Sequence, residues 1–176
     1  ANFMAVDRPD VAYAVKELCR GMSQPTKRDA DALKRLARYL LNRPRLVLHF
    51  RWQEPPLELQ VYSDSDWAGC PRTRKSTSGG ALMRGSHVLT STTQATVALS
   101  SAEAELHAMV VASAEALGIV SLMKDMGVDA IGEVYADSSA ALGIAQRQGM
   151  GKVRHIRTQA LWVQEVRATG RLSYKK

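Results

Sequence analysis

A chain of 176 residues with 45% apolar content can build one packed domain, or a domain with an appendage, and is too apolar for a disordered polypeptide. No uninterrupted run of about 18 apolar residues occurs, so no segment is expected to span a membrane; two cysteines, Cys19 and Cys70, are too few for a disulfide framework and point to a reducing, intracellular setting. The net charge of +7 is uneven, with 11 Lys/Arg against 6 Asp/Glu in residues 1–57 and 13 against 11 in the remainder. That distribution suits a polyanion held by one region and processed by another, although solubility alone also accounts for it.

The chain opens abruptly at Ala1-Asn2-Phe3, as a piece of a longer polypeptide would. Residues 1–52 read as two helices and a strand. Pro9 suits a first helical position, and Val11, Val15, Leu18 and Met22 follow at helical spacing until Gly21–Pro25 closes the segment. Thr26 and Asp29 form a capping pair for a second helix with the apolar stripe Ala30, Leu33, Ala37 and Leu40. Lys34, Arg35 and Arg38 lie mostly off that stripe, where they could touch phosphates or simply face solvent. Asn42-Arg43-Pro44 ends the helix, and the alternation of Leu46, Leu48, Phe50 and Trp52 predicts a short strand. Gln53-Glu54-Pro55-Pro56 marks a boundary, because paired prolines oppose both helix and central strand. The division expected is therefore 1–56 and 57–176.

In the second part, Leu57, Leu59 and Val61 alternate with Glu58, Gln60 and Tyr62, a strand with one buried face that runs into Asp64-Ser65-Asp66. Carboxylates at a strand end could bind a hard cation at the rim of a sheet, or form no more than a solvated turn. Pro71–Gly80 reads as a loop. Ala81–Arg84 and His87–Thr90 flank Gly85-Ser86, a two-residue hairpin signal, so three sequential antiparallel strands are expected. From Ser100 a long helix begins, with Ser100 and Glu103 as its capping box, and it runs to about Met126 before Gly127. Glu103 and Glu105 point about 200° apart around such a helix, so only one can face a given site. With Glu103 occupied at the cap, Glu105 is the one free for chemistry, against the alternative of a surface acid favoured by the helix dipole. Ile131–Asp137 reads as a strand ending in an acid, followed by a small-residue helix to about Arg147, a basic loop Gly149–Arg157, a helix Thr158–Ala168 and the start of a strand at Arg171–Lys176.

Asp64, Asp137 and Glu105 thus stand at comparable places, two at strand ends and one near a helix start. If the strands are neighbours and the helix packs across them, the carboxylates converge. Such a cluster would repel itself unless divalent cations neutralise it, and paired metals are suited to phosphodiester hydrolysis.

The second part closely resembles the ribonuclease H domain of copia-type long-terminal-repeat retrotransposons. The matching residues are Tyr62–Gly69, Arg74–Gly79, Leu99–Leu106, Ala136–Ala141 and Arg154-His155-Ile156. Residues 1–52 resemble, through Arg8–Val15 and Leu33–Leu40, the segment that connects the polymerase of the same polyprotein to that domain. The resemblance implies an α/β fold, a mixed five-stranded sheet in order 3-2-1-4-5 flanked by helices and preceded by a small helical connection segment, with 57–176 cut short at its C-terminal end. It implies hydrolysis of the RNA strand of an RNA–DNA hybrid during reverse transcription, with two Mg²⁺ ions, or Mn²⁺ in their place, held by Asp64, Glu105 and Asp137 as catalytic and metal-ligating residues. Asp66 is then a neighbour rather than a ligand. Arg74, Lys75, Ser76 and Thr77 would lie by the site and meet backbone phosphates, with Ser138 and His155 as further substrate contacts. The partners implied are the hybrid and the reverse transcriptase portion of the polyprotein, with no membrane, in the cytoplasm and inside retroelement particles.

Two departures from the family stand out. A fourth acid is expected near a C-terminal helix, but Glu165 is the one acid after Asp137 and its helix comes too early. An acid is also expected two residues after His155, where this chain has Arg157. His155 itself could aid product release or simply pack. These departures motivate an alternative, a decayed domain that binds nucleic acid without cutting it. A sugar-nucleotide transferase using Asp64-Ser65-Asp66 as a metal-binding pair is a further alternative, which leaves Asp137 unexplained.

Overall fold

The computed structural model describes residues 3–69, 74–96, 98, 100–149, 151 and 158–176. They form two compact units, residues 1–51 and residues 52–176.

The helical unit holds α1 (Met4–Asp7), α2 (Pro9–Arg20) and α3 (Lys27–Asn42). Pro9 occupies the first turn of α2, where its missing N–H costs nothing. The predicted cap of α3 is present in both directions: the Asp29 N–H donates to Thr26 Oγ1 and the Thr26 N–H donates to Asp29 Oδ2. Val11, Val15 and Leu36 form its small buried core, with Ala5, Leu18, Cys19 and Leu40 packed around them. The short α1 is an addition to the two helices expected. The strand expected at 46–52 is not formed: those residues belong to no ladder, and Trp52 is 83% exposed. Alternation makes a strand possible, but only a partner edge makes one.

The sheet unit begins at Trp52, a few residues before the boundary expected at Leu57. Gln53 explains the difference. Its side chain accepts from the Ser86 N–H (3.0 Å) and donates to the Arg84 carbonyl (2.9 Å), while Arg84 Nε donates to the Pro56 carbonyl. The Gln53–Pro56 segment is thereby tied to a hairpin of its own unit.

That hairpin joins β2 (Ser76–Arg84) and β3 (His87–Thr96) through Gly85, which adopts φ +58° as the turn requires. With β1 (Glu58–Asp66), β4 (Ile131–Ala136) and β5 (Leu172–Lys175) they make one sheet in the order β3-β2-β1-β4-β5. The β1–β2 and β2–β3 pairs are antiparallel; β1–β4 and β4–β5 are parallel. Strand β2 starts inside the stretch expected to be a loop. Ser76 and Ser78 are buried there and pair across the sheet with Thr96 and Gln94, so small polar residues occupy inward positions normally filled by aliphatic ones.

Helices α4 (Ser101–Asp125), α5 (Ser139–Gln146) and α6 (Trp162–Ala168), the last led in by a 3₁₀ turn at Thr158–Leu161, pack on the face carrying Leu59, Val61, Leu82, Val134, Ala136, Leu172 and Tyr174. By length and composition α4 could cross a membrane, although its apolar residues are interrupted by polar ones. Its apolarity has a local cause: Ala104, Leu106, Ala108, Met109, Ala112, Ala116 and Met123 are buried among the elements of this unit. Small residues along α4 let it lie close to the strands. Gly132 in β4 does the same for β5, since a Cβ there would stand 2.3 Å from Leu172 Cδ2. Inside the core, buried Ser113 of α4 hydrogen-bonds both the Met109 carbonyl (2.7 Å) and the Tyr174 hydroxyl (2.9 Å), tying α4 to β5.

Candidate active site

Three acids meet where β1 and β4 end. In the parallel β1–β4 ladder, Ser63 lies opposite Ala136. Asp64 and Asp137 are each the next residue along, so register alone sets them side by side at the same edge of the sheet. Helix α4 starts from its cap at Ser100, whose hydroxyl accepts the Glu103 N–H (3.2 Å), and carries Glu105 in across that edge. One carboxylate oxygen from each of Asp64, Glu105 and Asp137 lies within 4.8 Å of the others.

Their surroundings differ. Asp64 and Asp137 are exposed, whereas Glu105 is half-buried. Burial, then the charges of Asp137 and Asp64, push the Glu105 carboxyl up to about 7, against a small opposing pull from a backbone hydrogen bond at Ser65. Its Oε2 is buried with no hydrogen-bond partner among the described residues. A carboxylate with a partnerless oxygen, grouped with two further hard oxygen donors, is what a small divalent cation would complete, and Mg²⁺ or Mn²⁺ fits that donor set better than softer metals. Glu103 is buried on another side of α4, 3.8 Å from His107 Nε2, so the two glutamates serve different surroundings as their spacing requires. Asp66 is exposed and stands apart from the cluster, against Gly69, where an added Cβ would meet its carboxylate. The remaining late acid, Glu165, is exposed on α6 and is not in the cluster.

The other residues singled out by sequence are placed as follows. Arg74 and Lys75 are exposed just before β2, Arg74 in the left-handed region at φ +54°. Ser76 is fully buried and its hydroxyl accepts the Ala68 N–H (3.0 Å), so it braces the turn after β1. Thr77 pairs with Asp66 in the β1–β2 ladder. Ser138 caps α5 by accepting the Ala141 N–H (3.2 Å), directly after Asp137. His155 and Arg157 lie outside the described residues, as does Cys70.

Sequence reasoning gave Trp67 no role of its own. Its ring is half-exposed three residues after Asp64, and its indole N–H donates to the Ala98 carbonyl (3.3 Å) just before α4. Ala68 beside it holds φ +54°, a conformation costly for a residue with a Cβ. The available signal was an aromatic residue adjoining the acids; spacing carried none.

No family model matches the chain. Over 129 residues it is 37% identical to the retrovirus-related Pol polyprotein from transposon RE1 of Arabidopsis thaliana, a match covering 72% of this chain and 9% of that one. Over 118 residues it is 37% identical to an uncharacterized mitochondrial protein of the same plant, covering 65% of this chain and 48% of that one. Secreted RxLR effector protein 161 of Plasmopara viticola is 42% identical over 116 residues, covering 65% of this chain and 81% of that one. The chain thus spans less than half the length of the two Arabidopsis relatives. Among solved structures, the PFV RNase H domain superposes with a TM-score of 0.51 at 16% identity, covering 68% of this chain and 78% of that one, which bears on the fold alone. The relatives of this chain thus include retrovirus-related Pol polyproteins from transposons, matched over a small part of their length, and its sheet unit has a ribonuclease H-like fold.

Proposed function

We propose that this chain is the nuclease portion of a copia-type retrotransposon Pol polyprotein, which cuts the RNA strand of RNA–DNA hybrids during reverse transcription. The observation that carries the reading is the convergence of Asp64, Glu105 and Asp137 within 4.8 Å at the end of a parallel strand pair. These three side chains would hold two divalent ions, and bound ions activate water and stabilise the leaving oxygen of a phosphodiester. The protein's own part is positional. Ladder register holds Asp64 and Asp137 together, and α4 fixes Glu105 from its cap. Loss of the Glu105 proton near pH 7 completes the negative charge that a cation meets. Arg74 and Lys75, exposed beside β2, are available to backbone phosphates, which they would position without reading sequence. The working partners are the hybrid and the polymerase portion of the polyprotein, in cytoplasmic element particles.

The test is cleavage of a labelled RNA–DNA hybrid by the full chain in Mg²⁺. The wild type is expected to cut the RNA strand, and Asp64→Asn to lower the rate by at least a hundredfold. Equal cutting by Asp64→Asn would remove the site assignment. A second reading, a domain that binds hybrid without cutting, is favoured by the absence of a fourth acid from the cluster among the described residues. It predicts hybrid binding with no cleavage by the wild type and no heat on titration with Mg²⁺.

A further inference from the structure

The cationic excess is concentrated in the helical unit. Residues 1–51 hold 11 Lys/Arg against 5 Asp/Glu, a net of +6, while residues 52–176 hold 13 against 12, a net of +1. A nearly neutral unit with an acidic cluster has less long-range attraction for a polyanion than the cationic helical unit. Within that unit the charge is ordered. At 100° per residue, Lys27, Arg28, Lys34, Arg35 and Arg38 of α3 fall within an arc of about 120°, and Leu36, the buried residue of that helix, lies about 140° from its centre. All five cations are exposed. Asp31 shares the arc and stands 3.9 Å from Lys34; it is the single ion pair recorded for these residues among the described ones.

We propose that this face of α3 is a docking surface for the sugar–phosphate backbone of a nucleic-acid duplex. Lys27 to Arg38 spans about 16 Å of helix axis. A duplex presents one phosphate charge per about 1.7 Å of its own axis, so the same length offers roughly nine phosphates to five cations. Contacts from these cations to phosphates carry no sequence information, so the contact holds the duplex by charge. The identification of that duplex as an RNA–DNA hybrid rests on the nuclease reading; the surface itself does not.

The test compares two charge-matched variants of the full chain, with binding of a labelled 20-base-pair RNA–DNA hybrid measured in Ca²⁺ across a salt series. Lys34→Gln/Arg35→Gln/Arg38→Gln removes three cations from the arc and keeps good helix formers in place. Lys124→Gln/Arg167→Gln/Arg171→Gln removes three exposed cations from the sheet unit. Each lost phosphate contact lowers the slope of log K against log salt by about 1. The α3 variant is expected to lose two to three units of slope by that measure, and at least tenfold in affinity near 0.1 M salt; the control is expected to lose less than one unit. Equal losses in the two variants would reduce the effect to net charge and overturn the proposal, as would an unchanged slope in the α3 variant. Circular dichroism of both variants guards against unfolding. Failure of the nuclease reading shows separately, as cleavage that survives Asp64→Asn.

Discussion

Among the described residues, the helical unit buries three apolar side chains in its core, whereas the sheet unit gathers nineteen residues into one cluster. The smaller unit makes up the difference with polar contacts. Arg8 Nε and Nη2 donate to the two oxygens of Asp10 (2.9 and 2.7 Å), its guanidinium also reaches the Arg43 and Pro44 carbonyls, and the Tyr39 hydroxyl donates to Asp10 (2.8 Å). One charged cluster thereby joins the start of α2 to both the body and the end of α3. In the sheet unit the corresponding cluster, Asp64 with Glu105 and Asp137, has no cationic partner among the described residues, and its mutual repulsion works against the fold. The same chemical group, a carboxylate, is thus placed to stabilise one unit and to serve a ligand in the other.

The largest expected effect tests the core side of this contrast. Leu106→Ala, at a fully buried position between α4 and the sheet, should cost about 2–5 kcal/mol of sheet-unit stability in urea unfolding. The polar side comes next. Arg8→Ala leaves two carbonyls without their donor and Asp10 with Tyr39 in place of its ion pair, and should lower the melting of the helical unit by several degrees while the sheet unit melts unchanged.

The pH responses should have opposite signs. The Arg8 guanidinium beside Asp10 holds that carboxyl down at about 2, so its contribution is present above the ordinary carboxylate range and is lost as pH falls towards 2. Glu105, raised to about 7, binds its proton more tightly in the folded chain. The sheet unit should therefore lose stability as pH climbs from about 4.5 through 7 in a chelator. Melting curves between pH 5 and 8.5 should show that loss, Glu105→Gln should flatten it, and Mg²⁺ at pH 8 should reverse it in the wild type alone. A melting temperature that rises over this range would contradict the placement of Glu105. The smallest effect belongs to Tyr174→Phe, which removes the hydroxyl bonded to Ser113 but leaves Ser113 bonded to Met109, for about 1 kcal/mol in the same urea measurement.

Local chemistry made much of this architecture legible. The turn at Gly85, the caps of α3 and α4, and the alternation of Leu59 and Val61 each act over a few residues, so each leaves a mark in the sequence. Ser76–Gly80 left none, because hydroxyls and glycines spell a loop by composition even where they alternate across a sheet. Leu46–Trp52 left a misleading one: its alternation is real, yet exposed side chains there answer to no buried face.

The acids themselves could be named from their positions at strand ends and near a helix start. Their meeting could be expected only on the condition that the strands are neighbours, because it depends on Ser63 lying opposite Ala136 across 72 intervening positions and on the depth at which α4 sits. Register between strands so far apart is set by how Leu59, Val61, Val134 and Ala136 pack beneath Leu106 and Met109, a balance of whole-core burial with no local signature. Residue types, periodicity and caps belong to the chain as written; the distance between three carboxylates, and with it the proton held near pH 7, came only with the packed core.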